Sequence, residues 1–461
     1  MLSIPGEAVY ASSEDTSTVQ DGRTDATDPR ITPSDAPTLL FDPTGTGSPE
    51  IDGSSYVLYD VEANVFLLGR NQDAALSPAS ITKVMTVLLA FENLKMTDTI
   101  TVTRDMYDTI PDDYVRVGLV EGEVITVEEA IYCCLLISAN DAAMALAIHM
   151  AGSEEVFSQM MTARALELGC KSTNFTNPYG LSDPKNVTTA HDMALITGEV
   201  LKHSEYTKIS TTANYSFPPT NKRLDSLSLK NGNKFVSTTE YAYDSYIGGK
   251  TGFSDLSAYT ITAGARSGGR TLVAVIMGAS SSNQRYANIK ALIDFGFSQY
   301  SSIRIQKSDY TSAKQQVIDQ VETTIDLSGY PFFISDTKFE VLSYLTIMSS
   351  RASLAHTDSF AMEGAALKAT EHVQVLQFPL FRSFSDGTKD QIGTLTITVC
   401  DETGVNKLNQ KEISWDEIGT ILIRVGLIIV LLAIFALVII VFIRFQHAKT
   451  RKQNRKKPKV L

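Results

Sequence analysis

The chain has 461 residues, of which 43% are apolar, 20% charged and 8% aromatic. These proportions exclude a wholly disordered or fibrous protein and leave room for two or three domains. The formal charge is −12, but from Arg444 onward there are eight Lys or Arg and no acid, so the remainder carries 32 basic against 52 acidic side chains and repels phosphate backbones, which argues against nucleic-acid binding.

At the N-terminus, Val9-Tyr10-Ala11 is a small-x-small pattern like a signal-peptidase site, from which the true start, or the apolar core of an export signal, is expected upstream of Met1. Residues 1–50 read as a linker, disordered where Ser, Thr, Asp, Pro and Gly crowd residues 12–49. Ser55 to Gly69 holds two strand-like runs around Glu62-Ala63-Asn64, a hairpin signal. From Ser77 the pattern turns helical, with Ser77 as N-cap and Pro78 at the first helical position. Ile81 to Phe91 is apolar nearly all round, as in a helix buried at the centre of a domain. A second apolar helical stretch, Val127 to Met150, is interrupted at Ser138-Ala139-Asn140-Asp141, and Ser153 to Leu168 is amphipathic. Strands are predicted over Ala258 to Ala265 and Thr271 to Gly278, and a helix from about Gln284 to Phe295. Together these describe an α/β or α+β domain over residues 51–300.

Between residues 301 and 412 the pattern changes. Val321–Leu327, Phe339–Tyr344, Val373–Phe378 and Thr394–Val399 are short runs separated by turn residues, which predicts a small all-β domain. After a juxtamembrane stretch, 413–424, Val425 to Ile443 is a run of 19 residues without charge. At 1.5 Å per residue it reaches about 28 Å, close to the hydrocarbon thickness of a bilayer. The basic tail 444–461 would be accepted by no core, so a membrane helix is expected. By the positive-inside rule the tail is cytoplasmic and the body extracellular, a single pass.

Three short motifs could carry chemistry. In Ser80-Ile81-Thr82-Lys83, Ser80 and Lys83 stand one helical turn apart on one face. A Lys in a low-dielectric site gives up its proton readily and could then activate a neighbouring hydroxyl as a nucleophile. A serine at a helix start also lies where backbone N–H groups can stabilise an oxyanion. A second Ser-x-x-Lys, Ser335 to Lys338, falls in strand-rich sequence and reads as surface. In Ser138-Ala139-Asn140, a hydroxyl and an amide interrupt an apolar run, where they are costly unless paired. They could relay a proton and hold a substrate amide, or simply break the helix. Ser172-Thr173-Asn174 and Ser281-Ser282-Asn283 share the pattern but lie in loop-like contexts. Lys250-Thr251-Gly252 occurs once, against a chance expectation of roughly 0.1. It offers a cation for a carboxylate, a hydroxyl donor and a glycine that admits a ligand close to the backbone. A β-turn with a solvated Lys is the plain alternative.

The ordered set Ser-x-x-Lys, Ser-x-Asn, Lys-Thr-Gly at positions 80, 138 and 250 is the signature of serine penicillin-recognising enzymes. The segments SPASITKVMT, EGEVITVEEAIYCCLLISANDAA, NPYGLSDPKNVTTAHDMA, GGKTGFS and ALIDFGF resemble the low-molecular-mass penicillin-binding proteins of the D-alanyl-D-alanine carboxypeptidase family. The resemblance covers about residues 51–300 and is compatible with the following domain. It implies a β-lactamase/transpeptidase-like catalytic fold and removal of the last D-alanine from peptidoglycan stem pentapeptides through an acyl-enzyme. β-Lactam antibiotics would be covalent inhibitors. Carried over by position, Ser80 would be the nucleophile and Lys83 the base for acylation. Ser138 would shuttle a proton, and Asn140 would orient the substrate or Lys83. Lys250 and Thr251 would bind the terminal carboxylate, with Gly252 beside them. The N–H groups of Ser80 and Phe253 would form the oxyanion hole. No metal or cofactor is implied.

The sequence departs from the family at Tyr179, in NPYG, where His is frequent, and in its spanning rather than amphipathic anchor; at Phe253 several aromatic residues are compatible. A class A β-lactamase shares the motifs but needs a Glu-x-x-Leu-Asn segment, absent between Asn140 and Lys250. The chain has no Gly-x-Ser-x-Gly elbow and no HExxH. A surface-anchored peptidoglycan-binding module with little turnover is the non-enzymatic alternative. His191 reads as a structural residue at a helix start. Cys133, Cys134, Cys170 and Cys400 have neither CxxC nor zinc spacing, and the adjacent pair reads as buried small hydrophobes.

Overall fold

Tyr56–Tyr59 and Leu272–Met277 are continuous apolar or aromatic runs because both faces of the sheet they belong to are covered. The computed structural model of the chain describes residues 38–39, 48–111, 113–328, 331–342, 344–361, 367 and 371–403. Its main sheet has six strands, β1 (Thr38–Leu39), β2 (Ser55–Asp60), β3 (Val65–Arg70), β4 (Tyr246–Ser254), β5 (Ala258–Ser267) and β6 (Arg270–Ala279), in the order β1-β3-β2-β6-β5-β4. Every neighbouring pair is antiparallel. The hairpin expected around Glu62-Ala63-Asn64 is β2–β3, with Asn64 at φ 53° in the turn. β1 lies inside the segment read as a linker, where Thr38 and Leu39 pair with Gly69 and Leu68. The rest of residues 1–47 lies outside the described residues.

Alternate side chains of the central strands enter two cores. Val57, Tyr59, Val273, Val275 and Met277 pack into the larger one, under α1 (Lys83–Asn93), α2 (Val127–Leu136), α3 (Asn140–Ala151), α4 (Glu154–Glu167) and α5 (Ala190–Val200). Tyr56, Leu58, Leu272, Ala274 and Ile276 pack into the other, against α6 (Ser282–Gln299). Full burial of each large aliphatic chain is worth about 1.5–3 kcal/mol, and α1 is buried at every position from Lys83 to Ala90. Such a helix shows no amphipathic stripe, as its sequence indicated. α2 begins with a capping box between Thr126 and Glu129. α3 ends on Gly152 in the left-handed conformation. His191 lies in the first turn of α5, its ring 4.2 Å from that of Phe66.

The described chain divides into two compact units, the first running to Gln306 and including Leu342–His356 and Phe384–Gly387. The second unit is not all-β. Lys307–Ser328 forms a 22-residue helix, α7, and Val321–Leu327, read from the sequence as a strand, is its C-terminal part. Val317, Val321 and Ile325 recur every fourth residue and enter one core, which is the helical period that the short-run reading overlooked. The sheet they cover has four strands, β7 (Phe333–Val341), β8 (His356–Phe360), β9 (Val373–Phe384) and β10 (Lys389–Cys400), in the order β7-β10-β9-β8. Ser335 and Lys338 lie exposed on β7, as expected of a decoy. Arg382, buried in this unit, is held by Asp358 and Asp309 at 2.6 and 2.9 Å. All four cysteines are buried and free. Among the described residues no helix is long and apolar enough to cross a membrane, and the expected span 425–443 lies outside them.

Candidate active site

The turn that carries Ser80 differs from the simple helix start expected from the sequence. Ala79–Thr82 is a 3-10 turn, Ser77 makes no cap, and the α-helix begins at Lys83. Ala79 has φ 48°, a left-handed conformation that costs a non-glycine residue of order 1–3 kcal/mol. Its surroundings enforce it. Thr260 Oγ1 donates to the Pro78 carbonyl at 3.0 Å and Thr82 Oγ1 to the Ala79 carbonyl at 2.8 Å. Gly180, at φ 89°, packs so closely that a Cβ there would overlap the Ala79 carbonyl.

Lys83 is fully buried. Its Nζ donates to Ser80 Oγ at 3.1 Å, to Asn140 Oδ1 at 2.7 Å and to the Tyr179 carbonyl at 2.8 Å. Burial outweighs the opposing pull of Cys134 and Asp141 and brings its pKa down to about 7. Near neutral pH a large share of this amine is therefore unprotonated and hydrogen-bonded to a serine hydroxyl. That is the arrangement an alkoxide-generating base requires.

The interruption between α2 and α3 is a tight connection. The Ala139 N–H donates to the Cys133 carbonyl at 3.1 Å, and the Asn140 N–H to the Val115 carbonyl at 2.9 Å. Ser138 is held at φ 63°, and its Oγ is buried without a hydrogen-bond partner among the described residues. A strained backbone presenting an unsatisfied hydroxyl is a common mark of a reacting site.

Lys250, Thr251 and Gly252 lie on β4, the edge strand of the sheet. Lys250 is buried, and its Nζ donates to the Thr251 carbonyl at 2.8 Å. Burial, then the charges of Lys83 and Arg285, hold its pKa well below the usual lysine range. An arriving carboxylate would reverse that balance and stabilise the ammonium. Gly252 allows the strand to press on the Ser80 turn, since a Cβ there would sit 2.9 Å from the Ser80 nitrogen. Phe253 is half exposed and packs on Tyr259 at 4.5 Å between ring centres.

Ser138, Lys250 and Thr251 line one small cleft. Ser80, Lys83 and Asn140 form a hydrogen-bonded group beside it, Asn140 two residues from Ser138 and the Ser80 nitrogen close against Gly252, next to Thr251. All four motif side chains at 80, 83, 138 and 250 thus converge. A roomier concavity of about 830 Å³ along α4, with Lys171 and Lys185 on its wall, contains none of them.

Sequence reasoning missed three groups. The Tyr179 carbonyl, an acceptor for Lys83, is a backbone atom and leaves no side-chain signal, although the adjacent Gly180 hinted at a close approach. Arg285, in the first turn of α6, donates from Nη1 to the Gly252 carbonyl at 3.0 Å and belongs to no motif. Asp141 is a fully buried acid whose place in an apolar run is itself the signal, since an acid there needs partners.

Several known proteins are similar to this chain. DacF, a D-alanyl-D-alanine carboxypeptidase of Bacillus subtilis, is 34% identical over 301 residues, 64% of this chain and 72% of that protein. A D-alanyl-D-alanine carboxypeptidase structure from Mycobacterium tuberculosis is 28% identical, with a TM-score of 0.50, covering 56% of this chain and 96% of that one. The structure of DacD from Francisella tularensis, 20% identical, shares the fold over 79% of this chain and 96% of its own, with a TM-score of 0.59. Residues 42–281, more than half of the sequence, match the family described as D-alanyl-D-alanine carboxypeptidase, and the chain belongs to that family.

Proposed function

We propose that Ser80 is the nucleophile and Lys83 the base of a serine-type D-Ala-D-Ala carboxypeptidase acting on peptidoglycan stem pentapeptides. The observation that carries this reading is the fully buried Lys83 amine 3.1 Å from Ser80 Oγ, with its pKa brought down to about 7. The terminal carboxylate binds to Lys250 and Thr251. Ser80 Oγ attacks the carbonyl carbon of the last peptide bond while its proton passes to Lys83 Nζ. The N–H groups of Ser80 and Phe253 receive the developing oxyanion. Ser138 hands a proton from Lys83 to the departing D-alanine amine, and the C–N bond breaks. Lys83, neutral again, takes a proton from water as its oxygen attacks the acyl carbon. Ser80 Oγ leaves and recovers that proton, releasing the shortened peptide. A β-lactam, whose strained amide opens without releasing a leaving group from the cleft, stops at the acyl stage.

We further propose that residues 425–443 span the membrane once, with the tail 444–461 in the cytoplasm and the body outside. The uncharged run of 19 residues and the eight cations beyond it support this. Resistance of the full chain to alkaline carbonate extraction tests the anchorage, and solubilisation by carbonate would refute it.

The activity test uses the full chain in detergent, mixed with a pentapeptide ending in D-Ala-D-Ala and followed by mass spectrometry. Loss of one alanine, absent in Ser80→Ala, is the expected result. An unchanged peptide with no labelling by a fluorescent penicillin would overturn the reading and favour a binding module.

A further inference from the structure

Residues 115–119 run beside the Ser-x-Asn turn, yet they belong to no helix and no strand. What holds them is a side chain. Asp141 Oδ1 accepts from the Val117 N–H at 3.0 Å, and its Oδ2 from the Gly118 and Leu119 N–H groups at 2.9 and 3.0 Å. Oδ1 also accepts from the N–H of Ala142 at 3.0 Å. Three successive backbone donors turned toward one carboxylate form an anion nest, here filled by the protein's own acid. The segment's other face is fastened by Arg223, whose Nη2 donates to the carbonyls of Val117 and Gly118 at 3.3 and 3.1 Å.

The clasp bears on the reacting groups in two ways. Val115, two residues before the nest, gives its carbonyl to the Asn140 N–H at 2.9 Å, and Asn140 Oδ1 in turn accepts from Lys83 at 2.7 Å. Segment, turn and amine are thus one chain of hydrogen bonds. Asp141 is also the carboxylate whose charge acts on Lys83. The other groups facing that amine among the described residues are Ser80 from its own turn, the Tyr179 carbonyl, Cys134 from α2 and Lys250 from β4. The Cys134 thiol, pushed up to about 12 by burial, is neutral, and Lys250 is a potential cation.

We propose that Asp141 is a positioning residue for the carboxypeptidase reaction, its buried carboxylate clasping residues 117–119 so that Asn140 meets Lys83. The inference rests on Lys83 being the base. Replacing Asp141 by Asn removes the charge and one acceptor oxygen. Replacing it by Glu keeps the charge and displaces the nest.

The test measures the second-order rate of acylation by a fluorescent penicillin as a function of pH, on the full chain in detergent. In Asp141→Asn the acidic limb is expected to move toward lower pH by roughly half a unit or more, because an amine relieved of a nearby anion releases its proton more easily. The plateau falls about tenfold or more as Asn140 loses its placement. In Asp141→Glu the plateau falls and the limb stays at the wild-type position. An Asp141→Asn limb that does not move overturns the electrostatic part, and an unchanged plateau overturns the positioning part. A wild-type enzyme with no acidic limb would instead refute Lys83 as the base, a separate failure. Should Asp141→Asn not fold, hydrogen exchange on the wild-type protein decides. Slow exchange at the amides of Val117, Gly118 and Leu119 supports the clasp, and exchange at the rate of exposed loops overturns it.

Discussion

The protonation of Lys83 yields the sharpest quantitative expectation. A solvated lysine near 10.5 is unprotonated in only about one molecule in three thousand at pH 7. With its pKa brought down to about 7, Lys83 is unprotonated in about half, a gain on the order of a thousandfold in available base. The sign follows from the role. A base must be neutral to accept the Ser80 proton, so acylation rises with pH through the pKa and levels off above it. Between pH 6 and pH 8 the neutral fraction climbs from roughly 9% to roughly 90%, and the rate should rise about tenfold. The penicillin carboxylate stays ionised over this range and contributes no slope. Stopped-flow acylation by a fluorescent penicillin from pH 5.5 to 9 would measure it. With peptide substrate, the limb seen in kcat should lie at higher pH than that in kcat/KM, because the bound carboxylate favours the protonated amine. A kcat/KM profile that is flat or falling between pH 6 and 8 would refute a neutral Lys83 as the base.

Three substitutions probe the scaffold. Gly180→Ala places a Cβ against the Ala79 carbonyl from a φ of 89°. It should lower stability by about 1–2 kcal/mol or more and acylation by about a hundredfold as the nucleophile turn shifts, and wild-type labelling would contradict the close packing. Ser138→Gly relieves the backbone at φ 63°, so thermal unfolding should move up by about 2–4 °C. Turnover should meanwhile fall about 10²–10⁴-fold with loss of the hydroxyl, and a Tm that drops would show that Ser138 is unstrained. Lys250→Met should raise KM for the peptide far more than it lowers kcat, whereas for an amidated C-terminus it should change little. Equal losses on both substrates would remove the carboxylate role.

Much of the cleft was legible because its chemistry demands fixed residue types at fixed local spacings. Ser80 and Lys83 are three apart, Ser138 and Asn140 two, and Lys250 to Gly252 contiguous. Boundaries were less legible. Ser77 and Pro78 carry the usual marks of a helix start, yet the turn after them is a strained 3-10 segment imposed by Gly180 and Thr260, far along the chain. α7 was misread where Val321 and Ile325 looked like a short apolar run; including Val317 makes the helical period plain. The Tyr179 carbonyl and the Arg285 contact to Gly252 are invisible to any motif, since one is a backbone oxygen and the other a partner supplied by tertiary packing.

The acceptors of the Lys83 amine have a consequence for biogenesis. Its reaction partner lies three residues away, but its other two acceptors come from 57 and 96 residues further along the chain. An incompletely assembled polypeptide keeps serine and lysine side by side, yet leaves the amine in water, charged and chemically idle. A working base therefore exists only once the distant acceptors at Asn140 and Tyr179 have closed around the amine.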